Sequence, residues 1–165
     1  MSISTESGER RPRGLISAVA FVTIIVAISL GIGYLTAPGE WYESLNKPAF
    51  NPPSWVFGPV WTALYILIAI AGWRIWRIAG RSGAMMLWIA QMILNWLWSP
   101  AFFGAEAPSL ALALICSMLA SILFFIAQAW RHDRWSAGLF VPYAVWVAFA
   151  TTLNGSIVFL NQSPS

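Results

Sequence analysis

Apolar residues along this chain gather into five long runs, separated by short polar stretches. The runs are GLISAVAFVTIIVAISLGIGYL (14–35), VFGPVWTALYILIAIAGWRIW (56–76), AMMLWIAQMILNWLWSPAFFG (84–104), SLALALICSMLASILFFIAQAW (109–130) and AGLFVPYAVWVAFATTLNGSIVFL (137–160). A bilayer core about 30 Å thick takes about 20 helical residues to cross, so each run predicts one membrane span. The expected fold class is an all-α membrane protein, a single five-helix transmembrane bundle over 14–160. Pro100 and Pro142 fall inside spans, near an end in each case, where neighbouring helices can satisfy the freed carbonyls. The polar remainder is a tail (1–13), a Pro-broken loop (36–55), short turns and a second tail (161–165). The first run follows RRPR, as a signal peptide would. Its apolar core is too long for one, and no A-x-A site follows.

Composition agrees with the pattern. Only 9% of residues are charged and 59% are hydrophobic, where a soluble domain carries about 25% charged residues. Mean hydropathy is +0.70 and the pI is about 9.5. The basic residues form short clusters between apolar runs rather than one face, which suits phospholipid head groups and argues against nucleic acid. With five spans, Arg10, Arg11, Arg13, Arg74, Arg77, Arg81, Arg131 and Arg134 fall on one side and Lys47 alone on the other. The positive-inside rule then puts the N-terminus in the cytoplasm and the C-terminus and loop 36–55 outside. An all-helical protein belongs by default in the inner membrane.

The chain holds 11 Trp, and interfacial Trp is ordinary in membrane proteins. Trp73, Trp76, Trp88, Trp130 and Trp135 lie near the inner boundary and read as an anchoring belt. Trp41 and Trp55 lie at the outer boundary, as belt or as lid, and Trp96 reads as belt or packing. Trp61, Trp98 and Trp146 fall within the bilayer, where an indole N–H wants a partner. At helical spacing, Phe57, Trp61 and Tyr65 share one face of the second span. Gln91, Asn95, Trp98 and Ser99 share one face of the third, and Tyr143, Trp146, Ala150 and Asn154 one face of the fifth. Such stripes serve either interhelical packing or the wall of a ligand cavity, which uses the same ingredients. Ser109, Ala113, Ser117 and Ser121 recur every four residues in the fourth span. Small residues so spaced permit close helix approach, within one chain or between two.

Several chemistries are unsupported. No span carries a charge near its centre, which argues against ion-coupled transport or pumping. Cys116 is the only Cys and His132 the only His, beside Asp133 in WRHDRW. No carboxylate pair, metal cluster, nucleophilic triad or phosphate loop can be assembled from such a set, so no metal site and no required cofactor are expected. Photochemistry on a bound pigment, with Trp as the reactive partner, stays open.

Three blocks in order, WYESLNKPAFNPPSWVFGPVWTALY (41–65), QMILNWLWSPAFFG (91–104) and PYAVWVAFATTLN (142–154), resemble the TspO/MBR family of tryptophan-rich sensory and translocator proteins, also called the peripheral benzodiazepine receptor family. The likeness runs from about residue 15 to 160. It implies a five-helix bundle, usually a homodimer, that binds porphyrins such as protoporphyrin IX and synthetic isoquinoline carboxamide or benzodiazepine ligands. It also implies links to tetrapyrrole transport, oxidative-stress signalling and light-dependent porphyrin breakdown. Trp61 and Trp146 match the family's pocket tryptophans, implicated in porphyrin chemistry. Asn95, Trp98 and Ala150 match further pocket positions, and Tyr42, Pro48 and Pro53 match the lid. Animal members bind cholesterol through a C-terminal motif with Tyr and a basic residue. Here LNGSIVFLNQSPS has neither, so sterol binding by that motif is not implied.

Pattern and resemblance together predict a receptor or sensor with a porphyrin pocket between spans two, three and five, open toward the outside. Its expected lining is Phe57, Trp61, Tyr65, Asn95, Trp98, Phe102, Phe103, Tyr143, Trp146 and Ala150. Loop 36–55 is the expected lid, with Trp41, Tyr42, Pro48, Pro53 and Trp55. Lys47 reads as solvated or as a partner for a propionate. His132 lies at the inner end, away from axial ligation of a haem, which favours metal-free porphyrin, or haem bound without protein ligation. The alternatives are a light- and oxygen-dependent porphyrin-degrading enzyme, with Trp61 and Trp146 as its catalytic residues, and a tetrapyrrole translocator.

Overall fold

Every one of the five apolar runs is helical, as it must be where no water can satisfy backbone groups. The structure is a computed structural model that describes residues 10–161, with side chains from Gly14 onward. Positions 1–9 and 162–165, and with them most of both expected tails, lie outside the described residues, as do the side chains of Arg10, Arg11 and Arg13. The helices are α1 (Arg10–Leu35), α2 (Glu40–Ser44), α3 (Ser54–Ala79), α4 (Gly83–Ser99), α5 (Pro108–Ala129) and α6 (Arg134–Asn161). Segments Gly14–Leu35, Ser54–Ala79, Pro108–Ala129 and Arg134–Asn161 are long and apolar enough to cross a membrane by themselves. Helix α4 has 17 residues and runs straight into a π-helical turn, Pro100–Gly104, so the two together supply the remaining span.

Local chemistry sets the ends. Gly80 adopts φ 53° after α3, a conformation open to glycine at little cost, and its N–H closes on the Trp76 carbonyl at 3.0 Å. The Ser82 hydroxyl accepts from Met85 N (3.3 Å) and caps α4. Pro100 has no N–H to give, and the chain widens there: Ala105 N reaches back to the Pro100 carbonyl at 2.8 Å, one residue further than an α-helix would.

Helices α4, α5 and α6 pack most extensively, α3 contacts α6 and α4, and α1 lies against α3 and α4. Phe125 and Phe140 meet with centroids 4.0 Å apart at the α5–α6 seam. One expectation is corrected in this core. Trp88 is only 5% exposed, so it is a packing residue rather than part of the belt. Gly72 makes the room, since a Cβ at that position would collide with the Trp88 indole. The indole N–H then reaches the Ile68 carbonyl at 2.9 Å. Trp76, Trp130 and Trp135 are exposed, as interfacial anchors are. Trp96 packs inward and donates to Ser29 Oγ at 2.9 Å. In α5, Ser109, Ala113 and Ser117 are exposed, so the small-residue stripe faces away from the bundle.

The end of the bundle carrying the arginines is closed by an ion pair. Arg74 Nε and a second guanidinium nitrogen donate to the two Asp133 oxygens at 2.7 and 3.0 Å. The same carboxylate accepts from Ser136 N (3.1 Å) and Ser136 Oγ (2.6 Å) at the start of α6. These bonds, Arg74 foremost, hold Asp133 well below the ordinary carboxylate range, with partial burial acting in the opposite sense.

Candidate functional site

At the opposite end the helices part around a cavity of about 410 Å³. Phe57, Trp61 and Tyr65 line it from α3, Asn95, Trp96, Trp98 and Ser99 from α4, and Trp146, Ala150, Leu153, Asn154 and Ile157 from α6. Phe102 and Phe103 enter from the π-helical turn. Their rings meet edge to face at 4.8 Å, and Trp98 stacks on Phe102 at 5.4 Å. Trp61 stacks on Tyr65, with centroids 5.4 Å apart and planes 25° apart. Phe57 meets Trp146 edge to face at 5.9 Å. The described lining carries no charged side chain and no His, Cys or Met.

Polar groups are few, and all but one of the buried ones are spoken for. Trp98 Nε1 donates to Asn154 Oδ1 at 3.2 Å, and Asn154 Nδ2 donates to the Pro108 carbonyl at 2.9 Å. Tyr65 OH donates to Asn95 Oδ1 at 3.0 Å, and Asn95 Nδ2 to Tyr143 OH at 2.9 Å. The Trp146 indole N–H is the exception. It is buried and has no hydrogen-bond partner among the described residues. Leaving a buried donor unmade costs about 1–3 kcal/mol.

Nine of the ten expected lining residues therefore border one cavity. Tyr143 does not; it is fully buried and lies behind the wall, in contact with Asn95. Of the expected lid, Tyr42 lines the cavity. Helix α2 carries Tyr42 inward against Phe102 and Phe103, at 6.1 and 5.3 Å. Burial pushes its phenol above the ordinary tyrosine value, and its O–H donates to Asn51 Oδ1 at 3.3 Å. Trp41 backs Phe102 edge to face at 5.9 Å. Pro53 precedes the first turn of α3, Pro48 borders a shallow groove beside α6, and Trp55 is 75% exposed; none of the three borders the cavity. Lys47 folds onto its own loop, 4.7 Å from the Tyr42 ring centre, and donates to the Glu43 carbonyl at 3.0 Å.

A whole wall was missed from sequence. Helix α1 contributes Ser29, Leu30, Ile32, Gly33 and Tyr34, followed by Thr36. Thr36 Oγ1 and Ser99 Oγ are 2.6 Å apart, which ties the end of α1 to the end of α4. The available signal was SLGIGYLT (29–36), a small and polar stretch that interrupts an otherwise apolar span.

Comparison with known proteins identifies the family. Residues 19–160 match the TspO/MBR family. A tryptophan-rich sensory protein of Cereibacter sphaeroides is 42% identical over 132 residues, 78% of this chain and 82% of that one. A tryptophan-rich protein TspO of Archaeoglobus fulgidus is 34% identical, covering 89% and 98%. The human translocator protein is 35% identical, covering 78% and 82%. With a family match over most of its length and relatives of this kind on both sides, the chain is a multi-pass integral membrane protein that belongs to the TspO/MBR family.

Proposed function

We propose that this protein is a receptor or sensor that binds a porphyrin in the cavity beneath α2. The supporting observation is an uncharged aromatic chamber with one unpartnered buried donor, the Trp146 N–H. A planar apolar macrocycle would lie against Trp61, Trp98 and Phe102 by stacking and area burial, and a peripheral ligand oxygen would take the Trp146 hydrogen. The lining has no imidazole, thiolate or thioether to coordinate a metal; of its three tyrosines, Tyr65 and Tyr42 are engaged with Asn95 and Asn51, and Tyr34 is 84% exposed. That donor set fits metal-free porphyrin. The same walls would accept the synthetic isoquinoline carboxamides and benzodiazepines expected from the resemblance, and a homodimer belongs to the same reading. On this reading the arginine-poor cavity end would face outside and the N-terminus the cytoplasm, in the inner membrane where all-helical proteins belong by default.

Titration of the purified protein with protoporphyrin IX tests the reading, followed by Trp quenching and the porphyrin absorption band. Trp146→Phe keeps most of the ring and removes the donor. It is expected to weaken binding by about 1 kcal/mol, roughly fivefold. Unchanged affinity in Trp146→Phe, Trp61→Ala and Asn95→Ala together would place the ligand elsewhere. The Trp61–Tyr65 stack favours a second reading, light- and oxygen-dependent porphyrin breakdown, because it sets two oxidisable rings in contact at the wall. Illuminating the same samples separates the two. Bleaching that is lost in Trp61→Phe or Trp146→Phe while binding persists supports degradation, and equal bleaching in detergent alone removes it.

A further inference from the structure

We propose that Gln91, which does not border the cavity, is a positioning residue that sets the hydrogen-bond polarity of the cavity floor. Four side chains from three helices form one buried chain of hydrogen bonds. Tyr65 OH donates to Asn95 Oδ1 (3.0 Å), Asn95 Nδ2 to Tyr143 OH (2.9 Å), Tyr143 OH to Gln91 Oε1 (2.9 Å), and Gln91 Nε2 to the Trp88 carbonyl (2.9 Å). Gln91 and Tyr143 have no exposed surface, so water cannot substitute for any missing partner.

The direction of this chain is decided at its far end. A backbone carbonyl only accepts, so Gln91 must turn its amide nitrogen toward Trp88 and its oxygen toward Tyr143. Tyr143 has one hydrogen. Gln91 Oε1 takes it, the thioether of Met118, 3.2 Å away, being a weak acceptor, and the phenol oxygen is left to accept from Asn95. Asn95 then has its carbonyl free for Tyr65, and the single Tyr65 hydrogen is committed. Tyr65 and Asn95 border the cavity, so Tyr65 meets a ligand as an acceptor only. The same bond pins the Tyr65 ring on which Trp61 stacks. Without Gln91, Asn95 is free to flip, and the Tyr65 hydrogen can turn elsewhere.

The ligand arm of the test rests on the porphyrin reading above; the spectroscopic arm does not. Ultraviolet resonance Raman spectra of ligand-free protein report, through the tyrosine Fermi doublet, whether a phenol donates or accepts. Subtracting the Tyr65→Phe spectrum in each background isolates Tyr65. In the wild type Tyr65 is expected as a donor. Gln91→Met, close in volume, is expected to shift that signature and to weaken protoporphyrin IX binding about fivefold. Gln91→Glu in its neutral form keeps one acceptor and one donor in the same places and is expected to retain both. If Gln91→Met does not fold, Tyr143→Phe breaks the chain one step nearer the cavity and is expected to give the same shift. An unchanged Tyr65 signature in a folded Gln91→Met or Tyr143→Phe protein overturns the proposal. So does equal weakening of binding in Gln91→Met and Gln91→Glu. Absence of porphyrin binding by the wild type would remove the ligand reading, and the Raman comparison would still decide the role of Gln91.

Discussion

Gly72 and Gly31 show how differently one residue type can be used within a single membrane bundle. Both sit in helices, where glycine is about 1 kcal/mol worse than alanine by propensity alone. Around Gly31 nothing lies within 4 Å of an added Cβ, whereas at Gly72 the Trp88 indole already occupies that space. Gly31→Ala is therefore expected to be neutral or mildly stabilising in thermal unfolding in detergent. Gly72→Ala is expected to destabilise by about 1–3 kcal/mol through overpacking and loss of the Trp88–Ile68 hydrogen bond. Equal unfolding temperatures for the two variants would refute this account of Trp88. The sequence showed Gly72 and Trp88 only as a helix-interior glycine and one more interfacial tryptophan. Their pairing depends on the rotation of α3 against α4, which neither segment encodes alone.

At the scale of the element, the segment between α1 and α3 is held as a cover rather than left as a free loop. Tyr42 is buried against Phe102 and Phe103. The Asn161 side chain grips Asn46 at both backbone groups: Asn46 N donates to Asn161 Oδ1, and Asn161 Nδ2 donates to the Asn46 carbonyl, each at 2.9 Å. Asn161→Ala removes both bonds and leaves the core untouched. Amide hydrogen exchange across 40–51 is expected to rise about tenfold, from about 1–2 kcal/mol of lost local stability, with little change in global unfolding temperature. Exchange that rises equally in α5 and α6 would mean that the bundle, not the cover, had loosened. The aromatic content of 41–55 pointed to a lid, but the short helix α2 and its anchor on α6 were not legible. Both rest on contacts between residues far apart in the chain, Tyr42 with Phe102 and Phe103 and Asn46 with Asn161.

For the whole molecule, the Arg74–Asp133 pair joins α3 to the turn between α5 and α6 at the end opposite the cavity. The Asp133 carboxyl is held below its unfolded-state value of about 3.9, so the unfolded chain takes up the proton first as pH falls. The stability it contributes is thus fully present above about pH 5 and is lost progressively in more acid solution. Asp133→Asn should lower stability at pH 7 by about 1.5–3 kcal/mol, the range for a charge-assisted hydrogen bond. It should also flatten the acid limb of the unfolding profile, and an unchanged limb would show that the pair does not govern it. The sequence by itself determined the five apolar spans, the membrane class and the amide-and-aromatic stripes. Those follow from local hydropathy and the helical repeat, which each segment carries within itself. Only the tertiary structure decided that the stripes enclose a chamber, that α1 completes its wall, that Tyr143 stands behind the lining and that the Trp146 N–H has no hydrogen-bond partner among the described residues. Each of these depends on how far one helix is rotated and tilted against the next. That is settled by the fit of side chains across the interfaces, which no single segment specifies.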